Sequence, residues 1–124
     1  MDANELKQRT KQFSLRVIKL VDALPATRST NVIGNQLLRA GTSVGANYRA
    51  ALRGRSRPDF IAKLGIAIEE ADESLYWMEL LAEAELMTPE RLNPLMQEAN
   101  ELISILTTTV KTARSKTAMK REMP

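Results

Sequence analysis

The chain has 124 residues, 44% of them hydrophobic and 27% charged, with a formal net charge of +3; this is the make-up of one globular domain, not of a disordered or membrane protein. With no Cys and no His, disulfides and the zinc, haem and iron–sulfur sites that need those ligands are excluded, as are imidazole bases and thiol nucleophiles. No apolar run precedes the charges of MDANELKQRTKQF, and no stretch nears the roughly 18 residues of a spanning helix, so a cytoplasmic protein with no membrane association, cofactor or metal is expected.

Pro25, Pro58 and Pro89 divide the chain into four segments of similar length. The first, about 3–24, places Leu6, Phe13, Val17, Leu20 and Leu24 on one face and stops before Pro25, because the residue preceding proline is pushed out of the helical region. The second, about 29–54, offers Ile33, Leu37, Ala40, Val44, Asn47 and Ala51 as its seam. The third, about 58–86, opens with Ser56 as cap and Pro58 in the first turn. Its apolar residues Ile61, Leu64, Ile68, Ala71, Leu75, Met78 and Ala82 step by alternating threes and fours. The fourth, about 89–114, carries Leu92, Leu95, Ala99, Leu102, Leu106 and Val110 after a Thr88-Pro89 start. Four amphipathic rods joined by short loops must lie antiparallel to their neighbours, so the expected fold is an all-α, up-down-up-down four-helix bundle over 1–115. Residues 116–124 are expected to form a flexible basic tail.

Segment two also holds Gly34, Gly41, Gly45 and Gly54. Glycine weakens a helix interior by about 1 kcal/mol, so some contact must compensate. Gly41 and Gly45 share a face, which points to a tight helix crossing; the P-loop pattern of a phosphate cradle is absent. Asn47, between Val44 and Ala51, is expected to be a buried, hydrogen-bonded seam residue.

Charge is segregated along the chain: residues 1–57 carry a net +8, residues 58–101 a net −9 and residues 102–124 a net +4. Two readings follow, pairing of basic with acidic helices within or between subunits, and a basic surface that attracts phosphates. Arg49 and Arg53 face away from the seam of segment two, with Arg39 on the flank. With Arg55 and Arg57 they form RxxxRxRxR over 49–57, suited to bidentate phosphate contact. Lys7, Lys11 and Lys19 occupy the outward half of segment one. Aromatic residues are scarce, so phosphate contact without base reading is the expected mode for RNA or DNA.

Segment three carries a second apolar stripe. Ile66, Trp77 and Leu80 fall nearly opposite its seam, with Leu81 on the flank and Glu70 and Glu73 interleaved, which predicts a subunit interface. Those acids, with Glu69, are expected to meet Lys or Arg of an adjacent subunit.

The run Gln36 to Tyr48 with its Ser43-Val44-Gly45-Ala46-Asn47 core, then Asp59 to Leu64, then Glu70 to Leu81 with Glu73-Ser74-Leu75-Tyr76-Trp77, resembles the 23S rRNA intervening-sequence proteins from about Phe13 to Leu106. The resemblance implies a small bacterial four-helix bundle, encoded within 23S rRNA gene insertions or standing alone. It further implies similarity to the accessory variability proteins of diversity-generating retroelements, which form pentameric barrels and bind nucleic acid and a reverse transcriptase; a homopentamer is then expected. One departure is Ala50, preceded by Arg49, where the family often has Glu. Two functions remain in view: a non-enzymatic, oligomeric nucleic-acid-binding bundle, and a structural or protein-binding homo-oligomer. An enzyme is not expected, since no spacing brings a nucleophile to a base.

Overall fold

A computed structural model describes the backbone over residues 1–122 and the side chains over residues 1–116. It consists of four α-helices: α1 (Ala3–Asp22), α2 (Arg28–Leu52), α3 (Arg57–Glu83) and α4 (Pro89–Glu122). No strand occurs among the described residues.

Each start has a chemical cause. Asp2 caps α1, its carboxylate accepting the Glu5 backbone N–H at 2.8 Å, which also holds the Asp2 pKa below its ordinary value. Thr27 and Thr30 form a reciprocal capping box at α2, and Ser56 accepts the Asp59 N–H at 3.2 Å at α3. Pro89 opens α4, where its missing N–H costs nothing. α3 stops at Glu83, three residues short of expectation. The Leu86 N–H returns to the Leu81 carbonyl and that of Glu85 to Ala82, a Schellman turn that forces Glu85 to a left-handed φ of 59°. α4 runs past the expected 114 to Glu122, so the expected basic tail begins inside this helix. The side chains of 117–124 lie outside the described residues, as do residues 123 and 124 entirely.

Neighbouring helices run antiparallel. An ideal Cβ on Gly34 would meet Val21 and Leu24, whereas one on Gly45 would meet Thr10, so α2 descends as α1 rises. Arg39 of α2 pairs with Glu70 and Glu73 of α3, and Arg9 of α1 with Glu98 and Glu101 of α4. α1 packs on α2, α2 on α3 and α3 on α4, while α4 closes against α1 far more sparsely.

The core follows the expected seams in α4, where Leu92, Leu95, Ala99, Leu102, Leu106 and Val110 are all buried. In α1 Leu6, Phe13 and Val17 are buried, with Leu20 and Leu24 at the rim. Two seams shift. In α3 the buried line is Leu64, Ala67, Ala71, Ser74, Met78 and Leu81, leaving Ile61, Ile68, Leu75 and Ala82 half-buried. Ser74 is admitted because its hydroxyl donates to the Glu70 carbonyl at 2.8 Å. In α2 Ile33 is only half-buried, and the residue buried between Val44 and Ala51 is Tyr48, whose pKa is raised by burial and then by the charge of Asp2. Asn47, expected in the seam, is only half-buried and donates to the Ser43 carbonyl at 2.9 Å.

The α1–α2 crossing is built on Gly41. A Cβ there would stand 2.7 Å from Val17 Cγ2, so only glycine lets the backbones come this close. Ser14 uses the approach to donate across the crossing to the Gly41 carbonyl at 3.1 Å. The tight crossing expected from the glycine spacing is what the chain forms.

Candidate nucleic-acid interface and subunit face

The topology gathers part of the basic block at one end of the bundle. The end of α2 and the start of α3 bring Arg49, Arg53, Arg55 and Arg57 to one end, all exposed. None of the four has an ion-pair partner among the described residues. α4 is long enough to bring Lys111 and Arg114 level with this end, counting equal rises on either side of the α3–α4 turn. Sequence reasoning missed those two; only the helix pairing reveals them. Lys7 lies exposed near the same end of α1, and Lys11 is exposed one turn further along. The opposite end carries Glu79, Glu83, Glu85 and Glu90 around the α3–α4 turn. The bundle is thus basic where α2 meets α3, while the acids of the α3–α4 turn share the other end with Arg16, Lys19, Arg28 and Arg91.

Arg39 does not join the Arg row. It lies more than two turns away on α2 and is bound within its own chain, reaching Glu70 at 3.1 Å and also Glu73. Desolvation is the largest single influence and works against its charge, but attraction to Glu70 and Glu73 together with the hydrogen bonds to both prevails and raises its pKa. Arg39, expected as a phosphate contact, and Glu70 and Glu73, expected at the subunit face, thus pair with one another within the chain. The α2–α3 register supplies the pair, and no single-helix pattern contains that register.

The apolar stripe of α3 lies beside this pair. Ile66 is 38% and Tyr76 52% exposed. Trp77 and Leu80 are half-buried. The Trp77 indole N–H donates to Glu73 at 3.1 Å, and its ring meets Tyr76 edge-on with centroids 5.1 Å apart. Val32 of α2 is also strongly exposed. Leu81, assigned by sequence to the subunit face, is fully buried in the core of its own chain instead. Its flanking position turns inward because the buried arc of α3 is centred about one heptad position away from the counted seam.

Glu69 is exposed, and Glu73 is engaged by Arg39 and Trp77. No group of three or more acidic, His or Cys side chains able to hold a metal occurs among the described residues. No helix there is long and apolar enough to cross a membrane.

A further basic cluster escaped the sequence reading. Between α1 and α4 a groove of about 230 Å³ is lined by Arg16, Lys19, Leu20, Arg91, Pro94 and Leu95. Its signal is an i, i+7 relation to the Arg9–Glu98 pair, visible only once α1 and α4 are known to face each other.

Fold and surface thus define a small all-α bundle protein marked by its surface charge and by one apolar helix face. The sequence matches the model of the 23S rRNA-intervening sequence protein family over residues 2–108, and the chain belongs to that family. It is also similar to a solved structure of a protein of unknown function from the S23 ribosomal protein family of Bacteroides thetaiotaomicron. The two share 38% identity with a TM-score of 0.84, the match covering 90% of this chain and 99% of that one. No curated protein matches the chain.

Proposed function

We propose that this protein is a non-enzymatic homo-oligomer, acting in the cytoplasm, that binds RNA or DNA through phosphate contacts at its basic end, with 23S rRNA as its natural setting. The carrying observation is the Arg49, Arg53, Arg55 and Arg57 group, exposed at one end of the bundle without acidic partners among the described residues. Four exposed guanidinium groups within nine residues offer bidentate donors to backbone phosphates without reading bases. Family membership supports the 23S rRNA setting. The test is binding of mixed-sequence RNA at two salt concentrations. Changing all four Arg to Gln should lower affinity alike for every sequence and reduce the salt slope by roughly one unit per contact on a duplex. Full affinity in that variant overturns the reading.

A second reading is a structural or protein-binding homo-oligomer, favoured by the exposed Ile66 and Tyr76 beside Trp77 and Leu80. The kinship with the pentameric accessory variability proteins that the sequence resemblance implies would make this a ring of five built on the α3 face. Trp77 is half-buried and also packs against the core of its own chain, so Trp77→Glu should dissociate the assembly at some cost in stability, with circular dichroism checking that helix content is retained. An unchanged sedimenting mass overturns the interface.

A further inference from the structure

The seam between α1 and α4 changes character along its length. At one level Arg9 closes it with a fork: Nε and Nη2 donate to the two carboxylate oxygens of Glu98, both at 2.7 Å, and Nη2 also reaches Glu101 at 3.1 Å. One heptad onward in α1 is Arg16, and one heptad back in α4 is Arg91. The antiparallel register brings these two to the same groove, so the position that repeats Glu98 is an arginine. Lys19 adds a third cation to the lining. None of the three has an acidic partner among the described residues.

Such an arrangement works against closure of the bundle. Like charges sharing one groove repel, and a glutamate at 91 would have repeated the bond formed at 98. The repulsion turns into attraction when an anion enters. The groove, of about 230 Å³, has an apolar floor of Leu20, Pro94 and Leu95, with Leu95 buried. Guanidinium groups from two different helices can take separate oxygens of one phosphate, while Lys19 supplies a point charge.

We propose that the α1–α4 groove is a phosphate-binding site, separate from the Arg row, for a ligand whose phosphate sits among Arg16, Lys19 and Arg91 and whose organic part rests on Leu20, Pro94 and Leu95. The site does not rest on the nucleic-acid reading above, since a small phosphorylated molecule and one step of a nucleic-acid strand present the same chemistry. The two sources are separated by the experiment.

The full chain is titrated calorimetrically with inorganic pyrophosphate at low salt, alongside Arg16→Gln/Arg91→Gln, Lys19→Gln and the control Arg28→Gln, an exposed cation outside both the groove and the Arg row. All the changed side chains are exposed, so the variants keep the fold, which circular dichroism checks. The groove double variant should bind pyrophosphate roughly tenfold or more weakly, Lys19→Gln a few-fold more weakly, and the control as tightly as the parent. A ten-nucleotide oligouridylate is then added as competitor. Displacement of pyrophosphate assigns the site to a strand, and retention assigns it to a small phosphorylated ligand. Absence of pyrophosphate binding by the parent, or equal losses in the groove and control variants, overturns the proposal. Neither result bears on the Arg row, whose own test is the salt dependence of RNA binding.

Discussion

Helix α1 meets its two neighbours in opposite ways. Against α2 it is held by shape: Gly41 leaves room for Val17 and for nothing larger, and Ser14 bonds across to the Gly41 carbonyl. Against α4 it is held by charge, with one forked ion pair and, a heptad away, three cations around an open groove. A steric contact fixes register and leaves no chemistry over. An electrostatic contact can be left unmade at one position without unfolding the bundle, and the unmade position is then free to take a ligand. The comparison separates what makes α1 part of the fold from what makes its surface available.

The steric side gives the largest expected effect. Gly41→Ala should destabilise by about 2 kcal/mol, because the clash with a stiff β-branched Val17 outweighs the roughly 1 kcal/mol that alanine gains in helix propensity. Val17→Ala in the same chain should recover part of that loss, a coupling that denaturant melts of the two single variants and the double variant measure. Gly65 is the contrast, since a Cβ there meets nothing within 4 Å. Gly65→Ala should therefore raise stability by about 0.5–1 kcal/mol. Equal signs for the two substitutions would break the steric account.

On the electrostatic side, Glu98→Gln should cost about 1–2 kcal/mol, since the side chains of Arg9 and Glu98 are only 24% and 14% exposed and the fork loses its charge. Glu101 is half exposed and cannot replace it. A loss of only a few tenths in the urea midpoint free energy would place this pair among ordinary surface bridges. A smaller change of opposite sign is expected at the α3 terminus. Glu85 holds a left-handed φ that glycine adopts freely, so Glu85→Gly should stabilise by up to about 1 kcal/mol, read as a higher melting temperature.

Much of this architecture was legible in the sequence for reasons the residues make plain. Proline at 25, 58 and 89 and the cap at Ser56 set the breaks, and the α4 seam from Leu92 to Val110 is buried throughout. The seam of α3 was misplaced because counting apolar residues overlooks Ser74, which hides its hydroxyl in its own helix, and overrates Ile61 and Ile68 at the rim. Asn47 and Tyr48 were interchanged because a step of three from Val44 falls on Asn47 and a step of four on Tyr48, and the phenol, apolar in its ring and polar at its tip, carries no clear vote in a periodicity count. The Arg row was legible because its exposure follows from one helix and the turn after it. The Arg39 pair and the Arg16–Arg91 groove were not, since each depends on which residue of a second helix stands opposite.

The smallest stability change is also the sharpest probe of the comparison. Arg91→Glu places a carboxylate where the heptad repeat of Glu98 falls, opposite Arg16, and so rewrites the unmade position as a made one. Both sites are exposed, so the new pair should add only about 0.2–1 kcal/mol. A carboxylate in the first turn of α4 adds a comparable few tenths through the helix dipole. Pyrophosphate binding should vanish in the same variant, because one of two guanidinium groups becomes an anion and the other is occupied by it. The expected result is a protein slightly harder to melt and unable to hold the ligand, which is the relation between stability and a retained binding site expected when charges are kept apart for a purpose. A variant that melts lower than the parent while binding pyrophosphate as before would show that Arg16 and Arg91 do not share the groove.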